Sequence, residues 1–405
     1  MRSHPPQPLE DLRVLDFTLM LAGPYATMML SDYGAEIIKI EQPGKGDPTR
    51  KIGPFSDQDP EHQAGGFFLS ISRNKKSLTV DLKHPRGVRI IKELTKTADV
   101  VIENFRPGVM ERLGLGYDVL SEINPKIVYT SISGFGHTGS YRNRPSFDII
   151  AQAMGGVMAM TGPEGGPPCK VGPGIGDIWA ATIGAYATMV ALHEAQKSGQ
   201  GQYVDCAMYD TMLYMIERAV MMYSMAGIVS GRHGNAHPLY APYDCFATQD
   251  HKYVVIAGHW EKQWKNLCHA MGRTDLLQDP RLETMGDRAE HANDLRSAIS
   301  EWTLSMPRDH IVDLLIQWDV PAAPVNAVDD IFVCPQVADR AMLVETEHPV
   351  AGLLKIVGIP AKLSRTPGRV ASAAPLLGQH TTDILKGLLG YGDEQIQALR
   401  EDHVI

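Results

Sequence analysis

Three short stretches decide the fold: Leu12-Arg13-Val14-Leu15-Asp16-Phe17, Ala22-Gly23-Pro24 and Ala35-Glu36-Ile37-Ile38-Lys39-Ile40-Glu41. The first and last are apolar runs of strand length. Pro24 stands where the first turn of a helix, running to about Tyr33, can use its fixed φ and missing amide hydrogen. Strand, helix and strand within residues 12–41 make a βαβ unit, whose two strands are parallel. The turn after the first strand is not GxGxxG, which speaks against a nicotinamide or flavin cofactor.

The alternation continues. Residues 77–82 read as strand, 85–97 as helix, 99–104 as strand, 108–113 as a short helix and 126–132 as strand. This rhythm predicts a doubly wound, mostly parallel, Rossmann-like α/β layer. Ligands of such layers sit beyond the carboxyl ends of the strands. Those ends carry Asp16-Phe17-Thr18, Glu41-Gln42, Asn104-Phe105-Arg106 and Ser133-Gly134-Phe135-Gly136. Further on, residues 202–207 read as strand and 208–225 as one helix, whose methionines suit adaptable packing. Composition changes at the polar loop Gly231-Arg232-His233-Gly234-Asn235-Ala236-His237-Pro238. Residues 253–257 then read as strand and 260–318 as mostly helix. The expected division is a large α/β domain over 1–225, a smaller α+β domain over 226–329, and a return to the large domain over 330–405. In that return, residues 352–358 form a strand and 381–389 a helix.

The stretch before the second domain carries the chemistry. Gly155-Gly156-Val157-Met158-Ala159-Met160-Thr161-Gly162-Pro163-Glu164-Gly165-Gly166-Pro167-Pro168 is too rich in Gly and Pro for helix or regular strand. Cys169-Lys170-Val171-Gly172-Pro173-Gly174-Ile175-Gly176-Asp177 follows, and an apolar run over 178–192 then reads as a buried helix. Asp177 stands where that helix starts. It can be an N-cap, accepting a hydrogen bond from the first free amides. It can equally be a nucleophilic carboxylate at the mouth of a glycine loop, attacking an acyl group to give a covalent acyl-enzyme. The two readings are compatible.

Composition bounds the partners. With 405 residues, 44% hydrophobic and 21% charged, the chain reads as a soluble globular protein with a large core. A net charge of −9 argues against nucleic acid as the main partner. Basic residues nevertheless gather near the strand ends, from Lys39, Lys45, Arg50, Arg73, Lys75 and Lys76 to Arg106, Arg112, Arg142 and Arg144. They suit either a phosphate-bearing ligand or a solvated face. Residues 1–8 are polar and Pro-rich with no apolar signal segment, and the 15-residue run 178–192 is too short for a membrane span. Five scattered cysteines without CxxC spacing point to a reducing cytoplasm and to no zinc site.

Several segments, in this order and spacing, carry a family resemblance. They are Val14-Leu15-Asp16-Phe17 with Ala22-Gly23-Pro24, then Gly34-Ala35-Glu36-Ile37-Ile38-Lys39-Ile40-Glu41, and Arg73-Asn74-Lys75-Lys76-Ser77. Glu103-Asn104-Phe105-Arg106-Pro107-Gly108, Arg112-Leu113-Gly114, Ser131-Ile132-Ser133-Gly134-Phe135-Gly136 and Gly174-Ile175-Gly176-Asp177 complete them. Over nearly its whole length the chain resembles the family III CoA-transferases, the group that includes formyl-CoA transferase, carnitine CoA-transferase and 2-methylacyl-CoA racemase.

The resemblance implies that Asp177 is the catalytic aspartate, passing through a mixed anhydride and an aspartyl-CoA thioester. It implies coenzyme A as substrate and product, with no metal, and acyl-CoA and carboxylic acid as partners. CoA contacts would come from Leu21, Ala22, Gln42, Arg73, Asn74, Lys75, Lys76, Asn104, Phe105, Arg106, Arg112, Arg144 and Phe147. Gln42 stands where some relatives carry arginine. The resemblance also implies a homodimer of two subunits linked as rings.

The racemase branch carries a histidine before an aspartate as an α-proton base. Here the matching segment is Ser146-Phe147-Asp148, and phenylalanine cannot move a proton. Oxalate-specific relatives have a glycine run after the Gly-Asn pair of the second domain. This chain has Gly234-Asn235-Ala236-His237, which speaks against oxalate. Arg232, His233 and His237 then suit either the distal carboxylate of a dicarboxylic acyl group or an ordinary loop. A dicarboxylate CoA-transferase, with succinyl-CoA as donor and mesaconate or itaconate as acceptor, is the expected activity. An isomerase acting by α-proton transfer and a non-catalytic acyl-CoA-binding subunit are the rivals.

Overall fold

A computed structural model describes residues 6–405, so most of the polar start lies outside the described residues. Six strands form one parallel sheet: β1 (Arg13–Asp16), β2 (Glu36–Glu41), β3 (Lys75–Thr79), β4 (Val100–Glu103), β5 (Val128–Ser133) and β6 (Tyr203–Ala207). Their order is β3-β2-β1-β4-β5-β6. Side chains alternate across a strand, so each strand feeds two cores. Val14, Ile37 and Val100 pack with Ala22, Ala26 and Leu30 of the helix Ala22–Ser31 and with Ala180, Ala181 and Ala185 of the helix Ile175–Ser198. Leu15, Ile38 and Val101 face the other way, against Ile90, Ile91 and Leu94 of Pro85–Thr95 and Ile384 and Leu385 of Thr381–Leu389. Both faces of a parallel sheet are thereby covered. A Cβ added to Gly184 would lie 2.8 Å from Ile132 Cδ1, so the long helix packs closely on β5 at this point and a larger residue would displace the end of the Ile132 side chain.

Strand order reverses between β1 and β4, and this is where doubly wound sheets open a crevice. The loops leaving those two strands are tied together: the side-chain amide of Asn104 donates to Leu19 O and accepts from Leu19 N, each at 2.8 Å.

Beneath this edge lies a buried ionic layer absent from the sequence reading. Lys39 pairs with Asp47 at 2.9 Å, Arg50 with Glu41 at 2.7 Å and Lys75 with Asp16 at 3.2 Å. All six side chains are buried. The cations also donate to loop carbonyls: Lys39 to Thr18 O at 2.7 Å, Lys75 to Pro24 O at 2.8 Å and Arg50 to Pro375 O at 3.0 Å. Burial alone would raise the Asp16 carboxyl, but Lys75, Lys39 and the hydroxyls of Thr18 and Thr27 hold it below its ordinary value. Lys39, Arg50 and Lys75, three of the ten basic residues gathered in the sequence, are therefore neither ligand site nor solvated face. They are the internal counter-charge of the sheet's carboxyl edge.

Several local expectations need correction. The helix expected at 178–192 begins earlier and runs over Ile175–Ser198, with Gly174 at its N-cap, so Asp177 lies in the first turn and is not the cap. By length and composition alone that helix could cross a membrane. Its inner face packs in the core, while Tyr186 and Val190 are exposed. The glycine-rich stretch contains a short helix, Val157–Met160. Met208–Met215 and Glu217–Ala226 are two helices, not one, broken at Ile216.

The chain divides into two compact units, 1–157 with 170–221 and 335–405, and 158–169 with 222–334. The second unit holds an antiparallel sheet of β7 (Tyr243–Ala247), β8 (Tyr253–Ala257) and β9 (Ala322–Pro324), with Trp264, Leu267, Ile299, Ile311 and Leu315 from its helices in the core. Residues 352–358 do not join the parallel sheet. Within the first unit, β10 (Leu343–His348) and β11 (Gly352–Val357) form a separate antiparallel pair.

Removing one member of a buried ion pair leaves its partner uncompensated, at a cost of about 3–5 kcal/mol. Asp16→Ala is expected to lower the stability of the first unit by that amount, read from the midpoint of urea denaturation. A loss below about 1 kcal/mol would show that the ionic layer does not hold the edge together.

Candidate active site

The carboxyl edge of the sheet opens into a cavity of about 530 Å³. Leu21 and Ala22 enter its wall from the start of the helix Ala22–Ser31; Asn104, Phe105 and Arg106 from the loop after β4; Arg144 and Phe147 from the loop after β5. Asp177 completes it from the first turn of Ile175–Ser198. A second cavity of about 390 Å³ shares Leu19 and Phe105 with the first and contains Gln42, Lys45 and Lys83. The two adjoining spaces suit an elongated ligand with an anionic end.

The amides at the start of Ile175–Ser198 need a partner, and Gly174 has no side chain to offer. Asp148, the first residue of the helix Asp148–Met154, supplies it: its Oδ1 accepts from Gly176 N at 2.8 Å. Gln152, one turn later and buried, donates to Asp148 Oδ2 at 2.9 Å and accepts from Val171 N at 2.9 Å. With the helix capped from outside, the Asp177 carboxylate makes no hydrogen bond or ion pair among the described residues. Burial first, and the nearby Asp148 carboxylate second, push its pKa up to about 7. Glu103, under the loop of Asn104 to Arg106, accepts from Phe105 N at 2.7 Å and is likewise raised to about 7, chiefly by burial.

The remaining expected CoA contacts lie elsewhere. Arg73 forms a buried ion pair with Asp32 at 2.6 Å and donates to Val357 O. Asn74 accepts from Ala371 N and Ser372 N and donates to Arg369 O. Lys75 belongs to the ionic layer, Lys76 pairs with Glu36 at 2.5 Å, and Arg112 is exposed at the end of the helix Val109–Arg112. None of these five lines either cavity. Gly234, Asn235 and His237 belong to the second unit. There Gly234 N donates to Gly162 O at 2.9 Å, and the His237 ring stacks on Tyr240 with centroids 4.3 Å apart. Arg232 donates to Gly166 O and Ala159 O, so its guanidinium is held by main-chain carbonyls.

Sequence reasoning missed the capping role of Asp148 and the presence of Met20, Phe67 and Met208 in the cavity wall, while Arg142, named there among the basic residues near the strand ends, lines it. One signal was available: a glycine at the N-cap cannot cap its own helix, so a polar residue elsewhere has to. Among the described residues, no group of three or more His, Cys, Asp or Glu could hold a metal ion.

The sequence profile of CoA-transferase family III matches residues 9–381. A succinyl-CoA:mesaconate CoA-transferase of Haloarcula hispanica is 43% identical over 96% of this chain and 99% of that protein. A succinyl-CoA–D-citramalate CoA-transferase of Chloroflexus aurantiacus is 39% identical over 99% of each. The crystal structure of a CAIB/BAIF family protein from Brucella suis superposes with a TM-score of 0.86 at 35% identity, covering 94% of this chain and 99% of that one. The chain belongs to CoA-transferase family III.

A carboxyl raised in the fold binds its proton more tightly folded than unfolded. Stability linked to Asp177 is then full below about pH 4 and is lost as pH rises toward about 7. Asp177→Asn removes this loss. The variant is expected to gain on the order of 3 kcal/mol over the parent between pH 4 and pH 8, at about 1.4 kcal/mol per unit. Parallel denaturation curves that keep a constant separation across that range would contradict the buried, raised carboxyl.

Proposed function

We propose that this enzyme moves CoA from a dicarboxylic acyl-CoA, with succinyl-CoA as the principal donor, to a second dicarboxylic acid such as mesaconate or itaconate. Asp177 is the covalent carrier. One observation carries this reading: the Asp177 carboxylate is free of capping duty and lines a cavity whose other charged groups are Arg106, Arg142 and Arg144. The relatives named for succinyl-CoA with mesaconate or D-citramalate support the substrate class, since these acids share a four-carbon backbone with a carboxylate at each end.

The steps balance without an added proton or electron. An Asp177 oxygen attacks the thioester carbonyl, the C–S bond breaks and CoA thiolate departs, leaving a mixed anhydride. The thiolate attacks the aspartyl carbonyl and frees the donor acid, giving an aspartyl-CoA thioester. The acceptor carboxylate displaces the thiolate to form a second anhydride. Thiolate attack on the acceptor acyl carbon then releases acceptor-CoA and restores Asp177. Each anhydride is prone to hydrolysis, so apolar walls from Leu21, Phe67, Phe147 and Met208 serve to keep water out.

Arg106, Arg142 and Arg144 offer fixed positive charge to phosphate or distal carboxylate, with Arg144 braced over the Tyr141 ring at 3.6 Å. Gln42, Lys45 and Lys83 in the adjoining cavity suit the nucleotide end. Gly234, Asn235 and His237 remain candidates for the acyl end. Proton transfer at the α-carbon is disfavoured, because Phe147 occupies the wall where a second base would stand.

A homodimer is part of this reading. The helix Glu217–Ala226 buries none of its side chains, and Tyr214, Met221, Tyr223 and Met225 are largely exposed, an apolar surface suited to a second copy. All five cysteines are free thiols, which suits a reducing cytoplasm.

With succinyl-CoA presented against a panel of free carboxylic acids, mass spectrometry is expected to find new CoA thioesters chiefly for four- and five-carbon dicarboxylates. Asp177→Ala is expected to lose at least about a thousandfold in that exchange. Full exchange in the variant, or transfer to monocarboxylates alone, would overturn the proposal.

A further inference from the structure

We infer that Asp148, held by Gln152, is the positioning residue that keeps Asp177 aimed into the cavity and places a second carboxylate beside it. The inference rests on Asp177 being the covalent carrier.

Geometry comes first. The N-cap of Ile175–Ser198 is a glycine, so nothing local fixes where the helix begins. The bond from Gly176 N to Asp148 Oδ1 anchors the residue directly before Asp177. Close approach is enforced on the other side. A Cβ on Gly176 would lie 3.1 Å from Asp148 Oδ1 and 3.2 Å from Asp148 O, so a larger residue would press Asp148 back by a few tenths of an ångström. Gln152 holds the far carboxylate oxygen of Asp148 and, through its own Oε1, the amide of Val171 on the strand of chain leading into the helix. One buried amide side chain thus couples the capping residue to the loop that delivers Asp177.

Charge comes second. The charged group acting on Asp177 is Asp148 from Asp148–Met154; Arg106 from the loop after β4 and Arg142 and Arg144 from the loop after β5 line the same cavity. The arginines stay charged throughout the working range, so Asp148 is the acidic neighbour in this set. Beside a second carboxylate, ionised Asp177 is a stronger base and hence a better donor to a carbonyl carbon. Burial first, and the same neighbour second, disfavour ionisation below about pH 7. Asp148 itself stays out of bond-making. Its oxygens are engaged by Gly176 N and Gln152 Nε2.

The experiment is a pH profile of CoA exchange for the full chain and for Asp148→Asn, Asp148→Ala and the double variant Asp148→Asn/Gln152→Glu, with Asp177→Ala as reference. Asp148→Asn keeps an oxygen for Gly176 and loses the charge. The acid limb of its kcat profile is expected to move about one unit toward lower pH, with a reduced plateau. Asp148→Ala also loses the cap. Its plateau is expected to fall at least about tenfold further and its melting temperature by about 2–4 °C. The double variant exchanges donor and acceptor across the 148–152 bond and returns a negative charge one side chain away, so its acid limb should move back toward the parent. An acid limb that stays put in both single variants overturns the inference. If Asp177→Ala is silent in that same series, the covalent reading survives it. Turnover in Asp177→Ala sinks the covalent reading itself.

Discussion

The hydrogen bond from Gly176 N to the Asp148 carboxylate is the contact on which the site depends. A helix start exposes amides that must find an acceptor, and an aspartate in its first turn is an obvious candidate to supply one. Because a residue from another helix takes that duty, Asp177 is left with a carboxylate that is partly buried, raised in pKa and without a partner among the described residues. Such a group is unfavourable for stability. In a cavity at the strand-order reversal that Arg106, Arg142 and Arg144 also line, it is well suited to attack an acyl carbon.

The cavity in turn depends on the buried ionic layer beneath it. Lys39, Lys75 and Arg50 neutralise Asp47, Asp16 and Glu41 beneath the edge, and each cation also grips a loop carbonyl. Fixing the loops from below leaves their upper surfaces available. Asn104 then clamps the loop after β1 to the loop after β4, so that Leu21, Ala22, Phe105 and Arg106 share one wall. Electrostatics therefore acts twice here: as balanced pairs that hold the platform, and as unpaired groups above it.

Much of the architecture was legible in Val14-Leu15-Asp16-Phe17 and its successors. Parallel strands buried on both faces read as apolar runs, and βαβ spacing leaves little choice of topology. Asn104 to Arg106, just beyond one of those runs, were placed at the cavity for the same reason, whereas Arg144 and Phe147 were expected there through the family resemblance. Charge was harder to read. Nothing in the spacing of Lys39, Arg50, Arg73 and Lys75 distinguishes a phosphate ligand from a buried counter-ion, because the distinction depends on Asp47, Glu41, Asp32 and Asp16 arriving from other strands and loops. The cap was illegible likewise: Asp148 and Gly176 are 28 residues apart, and their contact is a tertiary event. The strand Leu343–His348 escaped notice because Glu345 and Glu347 interrupt its apolar character at the exposed positions of an antiparallel pair.

The most direct test is chemical. The protein is incubated with succinyl-CoA, quenched in acid and digested, and the peptide holding Asp177 is weighed before and after hydroxylamine. The account predicts an increment equal to coenzyme A bound through its sulfur, converted by hydroxylamine to a hydroxamate at Asp177. An unmodified Asp177 peptide under conditions of active CoA exchange, with the label on another side chain or nowhere, would contradict it.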